Sequence, residues 1–185
     1  MNCTNCNSGA LVPSFIDGLF RAHTCDCCDG NWLLIEDYVA WKERNPQFQF
    51  RCDVSFEESD ITDTKMALLC PISGTFMRKF KLTAEHVHKL DYSSATGGLW
   101  LDKGEWELLK QEGIAGCLNA VITPNWQRWI RQDNAKQSFS DNYRAKFGDD
   151  VYDKVKEIRT WLLSQEQKAD LRAYLLAEDP YSAQR

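Results

Sequence analysis

Cys3-x2-Cys6 and Cys25-x2-Cys28 place two thiols on each of two tight turns. That spacing lets four thiolates converge on one Zn2+ in a tetrahedron, the geometry of a zinc ribbon. A centre closed by four protein ligands leaves no position for water or substrate, so the metal should be scaffold and not catalyst. The same spacing also serves iron–sulfur ligation, and reduced buried thiols are the plainest alternative. Cys27 sits inside the second pair, in Cys25-Asp26-Cys27-Cys28. The x2 spacing fits the turn better than Cys25/Cys27, which leaves Cys27 as a small buried group or an exposed thiol beside the cluster.

The elements that must carry these turns are short. Between the ligand pairs, Leu11, Phe15, Phe20 and His23 read as a hairpin, and residues 36–44 as a helix. The chain then matches itself 67 or 68 residues further on, with Gly98 opposite Gly30 and Trp100 opposite Trp32. This register sets Cys70, Ser73, Ser93 and Thr96 against Cys3, Cys6, Cys25 and Cys28. One thiol and three hydroxyls make a poor zinc site, since neutral hydroxyls are weak ligands for this ion. The second unit, with Phe76, Phe80, Leu82 and Val87 as its hairpin, should fold on packing alone, through a cluster around Trp100 joined by Phe76 and Leu101. An alternative joins His86 and His88 to Cys70 in a different metal site; plain surface histidines on a strand are the simpler expectation.

Taken together, the first copy with Gly30, Trp32 and Leu33, and the second with Gly98, Trp100, Leu101, Asp102, Gly104 and Glu105, resemble the bacterial zinc-finger proteins named for transcription factor IIB. The first copy departs from that pattern at Leu34 and at Glu36-Asp37, and the second has lost the ligands. The resemblance covers roughly residues 1–45 and 68–113. It implies a ribbon fold with structural zinc and carries no claim of transcription initiation.

Around these units, residues 47–56 alternate apolar and polar and read as a half-buried strand with Phe48, Phe50, Cys52, Val54 and Phe56 on one face. Glu57, Glu58, Asp60 and Asp63 follow as an acidic linker without calcium-loop spacing. Asp102 and Glu105 form a capping box for a helix that stops at Gly113. From Thr123-Pro124 onward the pattern is helical, with Phe139, Tyr143 and Phe147 in the first segment and Val151, Val155 and Ile158 in the second. Ser164 and Gln167 should cap a third helix. The expected fold is α+β: tandem zinc-ribbon-like β units, each followed by a helix, and a C-terminal helical hairpin or three-helix region packed on the second ribbon. The domains are then 1–46, 47–67, 68–122 and 123–185.

The chain has 185 residues, a formal charge of −5 and 43% hydrophobic residues, enough for a core. A tetrathiolate zinc adds about −2 more, a poor start for phosphate binding. No signal-peptide pattern and no apolar run of spanning length is visible, and scattered cysteines fit a reducing compartment, so a cytoplasmic location is expected. No phosphate loop, zinc-protease motif or nucleophile neighbourhood supports an enzyme. The helix over 126–147 carries Arg128, Arg131, Lys136, Arg144 and Lys146 against Asp133 and Asp141. With Trp126 and Trp129 it offers a nucleic-acid surface; as an amphipathic helix its tryptophans would be core instead. The favoured expectation is a protein-binding adaptor whose ribbons are the docking platform and whose 126–147 helix supports the core.

Overall fold

The computed structural model describes residues 1–52 and 61–177, in two compact units, Met1–Asn134 and Ala135–Arg185. The first unit is built on β1 (Leu11–Ile16), β2 (Phe20–Cys25), β3 (Asn31–Leu34), β4 (Arg78–Lys81), β5 (Lys89–Ser93) and β6 (Gly98–Leu101). These form one antiparallel sheet in the order β1-β2-β3-β6-β5-β4. Two meanders therefore meet back to back at their third strands. Asp17 and Gly18 turn the first hairpin with φ of 48° and 71°, a conformation that Gly18 adopts without steric cost. Each meander runs into a helix, α1 (Ile35–Arg44) after β3 and α2 (Glu105–Gln111) after β6.

Strand alternation sorts the two central strands between two cores. Leu33, Leu99 and Leu101 face α1, α2 and α3 (Leu118–Val121), together with Tyr38, Trp106, Leu108 and Leu109. The Tyr38 hydroxyl ties α1 to the turn before α3, donating to the Ala115 carbonyl at 2.9 Å and accepting from the Leu118 amide at 3.3 Å. Burial pushes that phenol up to about 12. On the opposite face Trp32 and Trp100 pack with Cys3, Leu11, Cys25, Leu68, Cys70 and Met77.

Several expectations are corrected. Leu101 lies on the helix side and not with Trp100, because neighbouring residues of a strand point to opposite faces. Phe76 is 73% exposed; Met77 takes the inward place, and Val87 is also exposed and outside any strand. Residues 47–52 form no strand. Phe48 N–H closes a turn to the Asn45 carbonyl at 3.0 Å, and Phe48 and Phe50 pack edge-on or tilted against Trp41, with Phe50 also meeting Trp106. Their alternation serves ring packing on α1 and α2; Val54, Phe56, Glu57, Glu58 and Asp60 lie outside the described residues. Half of the capping box forms: Glu105 Oε2 accepts the Asp102 amide at 2.8 Å, while the Asp102 carboxylate accepts from Trp100 Nε1 and Asn5 Nδ2.

The C-terminal helices are α4 (Pro124–Phe147), α5 (Asp149–Ser164) and α6 (Lys168–Leu176). Thr123 Oγ1 accepts the Trp126 amide at 3.3 Å and starts α4 as the sequence indicates. Within the first unit, Trp126 Nε1 donates to the Leu82 carbonyl at 3.0 Å and Ile130 is buried, so the beginning of α4 seats on the second meander. Trp129, however, is 55% exposed, and Ile130 is the one buried residue of α4. Of its two tryptophans, Trp126 is half-buried and packs against the helix-side core, while Trp129 stands outside it. Ser164 makes no cap for α6; its hydroxyl donates back to the Trp161 carbonyl at 2.6 Å. In the second unit α5 and α6 bury no side chain. Arg144 joins α4 to α5 by pairing with Asp149 and Asp153 while lying over the Tyr152 ring.

Candidate metal centre

Two knuckles build the centre. In the first, Cys3 N–H donates to the Gly9 carbonyl at 2.8 Å, and the chain reverses through Asn7 at φ 56°. In the second, Cys25 N–H donates to the Gly30 carbonyl at 2.8 Å and Asp29 reverses the chain at φ 58°. Asp26 locks them together, its amide donating to the Ala10 carbonyl and its Oδ1 accepting the Ala10 amide at 2.8 Å. Gly9 passes so close that an added Cβ would strike Cys25 Sγ and crowd Cys27, so only glycine fits there.

This scaffold brings Cys3, Cys6, Cys25 and Cys28 Sγ within 4.8 Å of one another. Cys3–Cys28 and Cys6–Cys25 sulfur distances are both 3.7 Å. Four sulfurs at about 2.3 Å from a tetrahedral Zn2+ stand about 3.8 Å apart, so the cage fits the ion with almost no adjustment. Backbone amides aim at the sulfurs, Gly9 N–H at Cys6 and Cys27 and Cys28 N–H at Cys25, at 3.3 to 3.5 Å. Such donors favour thiolate: the Ser8 and Gly9 amides hold the Cys6 thiol down to about 5, while burial raises Cys3 and Cys28. The four cysteines thus cluster as a zinc-binding site consistent with one structural zinc. Cys27 is exposed and stands outside it, near Ser8 Oγ.

The matched positions in the second meander come together as well. Cys70 Sγ lies 3.4 Å from Thr96 Oγ1 and accepts the Ser73 amide at 3.4 Å. Knuckle hydrogen bonds recur, Cys70 N–H to the Thr75 carbonyl as Cys3 to Gly9, and Gly97 N–H to the Ser93 carbonyl as Asp29 N–H to the Cys25 carbonyl, with Gly74 and Gly97 at the positive φ that Asn7 and Asp29 adopt. Burial pushes the Cys70 thiol up, but the hydroxyls of Ser73, Ser93 and Thr96 and the Ser73 amide outweigh it and hold it down to about 6.

The histidines do not join Cys70. His86 Nε2 pairs with Glu112 Oε1 at 3.0 Å, and His88 lies with Asp63 and Glu105 in a separate group of potential ligands. Sequence reasoning missed that group because Asp63 reads as linker and Glu105 as a capping residue. The available signal was a carboxylate at a position that the periodicity of α2 turns inward, beside Trp106, Leu108 and Leu109.

Residues 2–44 match the family model described as transcription factor zinc-finger, the zinc ribbon of the transcription-factor-IIB type. The match spans the first meander and α1. No curated protein and no solved structure matches the chain.

Proposed function

We propose that this chain is an adaptor that docks another protein, with zinc in a purely structural part and no catalytic step. The observation that carries the reading is the apolar face of the second unit. Phe139, Tyr143 and Phe147 stack at one-turn intervals, with ring centroids 4.6 and 5.3 Å apart, yet Phe139 is 54% exposed. Val151, Val155 and Ile158 are exposed in α5. A contiguous exposed apolar surface of this kind marks an interaction site. A groove of about 250 Å³ runs between Phe139, Tyr143, Phe147 and Val155, with Lys156 and Arg159 on its rim. Its complement is an amphipathic partner helix with apolar anchors on one face and acidic residues beside them.

In this reading the segment 68–113 is a metal-free counterpart of the ribbon, retained as a packing surface for Trp32 and for the start of α4. The domains follow as 1–46, 47–67, 68–122 and 123–185. A reducing compartment such as the cytoplasm suits a chain that must keep four thiolates free for zinc. No helix among the described residues is long and apolar enough to cross a membrane.

A second reading rests on Trp129, exposed between the exposed Arg128 and Arg131, a combination that stacks on bases and contacts phosphates. Affinity capture from the native cell with nuclease present tests the two together. The adaptor reading expects a nuclease-resistant partner, lost in Tyr143→Glu/Val155→Glu and kept in the triple Arg128/Arg131/Lys136→Ala variant. Nucleic acid bound with a steep salt slope, and lost in the triple variant, would replace it.

A further inference from the structure

Asp63, His88 and Glu105 each bring one ligand atom to a common point in the first unit, all within 4.8 Å of one another. Glu105 is 1% exposed, in the first turn of α2. Its Oε2 accepts the Asp102 amide at 2.8 Å, but Oε1 is buried with no hydrogen-bond partner among the described residues. His88 Nδ1 and Asp91 Oδ1 are likewise buried and unpartnered. Glu105 Oε1 and Asp91 Oδ1 are thereby buried acceptors without a donor, which is costly, the more so when charged.

The surroundings supply acceptors where donors are needed. Lys79 Nζ is committed to Asp91 Oδ2 at 2.7 Å and to the Thr64 carbonyl. The Asp102 carboxylate is filled by Trp100 Nε1, Asn5 Nδ2 and the Thr64 amide. Burial, then the charges of Asp102, Asp63 and Asp91, push the Glu105 carboxyl well above its ordinary range. A cation between the three side chains removes that conflict, satisfying Glu105 Oε1 and drawing on the imidazole and the Asp63 carboxylate at once.

We propose that Asp63, His88 and Glu105 form a second metal site, separate from the thiolate centre, holding a first-row divalent cation of the Mn2+ or Zn2+ class. Two carboxylate oxygens and one imidazole nitrogen are borderline-to-hard donors and suit these ions, whereas the four thiolates suit softer ones such as zinc. Ligand atoms on such an ion, with bonds of about 2.1 Å, stand about 3–4 Å apart, a spacing compatible with three atoms that all lie within 4.8 Å of one another. Three protein ligands leave positions for water or a further ligand. The ion also ties the segment before β4, the approach to β5 and the start of α2 together.

The test uses the full chain with its thiolate zinc in place. Mn2+ is titrated in and free Mn2+ counted by electron paramagnetic resonance, with a parallel titration of Zn2+ by calorimetry. The expected result is one saturable site per chain, weakened at least tenfold in Asp63→Asn and in His88→Gln, while the thiolate-bound zinc content stays unchanged. Glu105→Gln keeps an acceptor for the Asp102 amide, so its fold is preserved and its affinity should fall equally. The absence of a saturable site for either ion, or a site of equal affinity in Asp63→Asn, His88→Gln and Glu105→Gln, would overturn the proposal.

Discussion

Trp32 and Trp100 face each other across β3 and β6, and each indole covers the other's glycine, Trp32 lying over Gly98 and Trp100 over Gly30. The two meanders exchange the same knob and the same hole. A methyl group added at Gly98 would collide with the Trp32 ring, and one at Gly30 with Trp100. Both tryptophans are 1% exposed. The pairing places the metal-side core directly beneath the zinc knuckles, since Cys3 and Cys25 belong to the same cluster.

Trp100→Ala should therefore lower stability by about 3–5 kcal/mol, the scale for deleting a large buried aromatic. Because Trp100 shares its cluster with two zinc ligands, its loss should also weaken zinc retention, and the two effects should couple instead of adding. Denaturant unfolding of Trp100→Ala, Cys28→Ser and the double variant measures that coupling. Strict additivity would show that the two meanders are energetically independent.

Cys70 gives the second meander a pH-dependent stability. Despite burial, its thiol is held down to about 6 in the fold, well below the ordinary thiol value of 9.0, by the hydroxyls of Ser73, Ser93 and Thr96. A depressed acid contributes stability that is complete above the unfolded value and is lost as pH falls through the folded one. The difference in stability between the native chain and Cys70→Ala should therefore shrink as pH drops from about 9 to about 6. Unfolding midpoints measured at intervals across that range check the sign; a difference that stays constant across it would show that Cys70 is a neutral buried thiol.

The metal ligands, the helices α1 and α2 and the opposition of Gly30/Trp32 to Gly98/Trp100 were all legible in the sequence, because each rests on local spacing or on residue types with one steric use. Cys70, Ser73, Ser93 and Thr96 came into view the same way, once the register was fixed by the tryptophans. What stayed hidden depended on tertiary partners. The alternation at Phe48 and Phe50 looks like a strand, but Trp41 and Trp106 offer those rings a better surface than a neighbouring ladder. The tryptophan-rich start of α4 looks like core, yet only one side of that helix finds the second meander. Glu105 satisfies the local rule for a capping box, and its burial beside Asp63 and His88 follows only from how α2 meets the sheet.

One thiolate-bound zinc holds the first meander, while the second stands on packing around Trp100. Hydrogen exchange on the native chain and on Cys28→Ser, with zinc counted in the same samples, tests it most directly. Cys28→Ser should lose the thiolate zinc and the protection of amides in 2–34, because structural zinc supplies much of the folding free energy of so small a unit. Amides in 68–93 should keep most of theirs, while β6, paired with β3 and packed through Trp100 on Trp32, should lose part of its protection. Full protection around Cys3 and Cys25 after the zinc is gone, or equal loss in both meanders, would contradict the account.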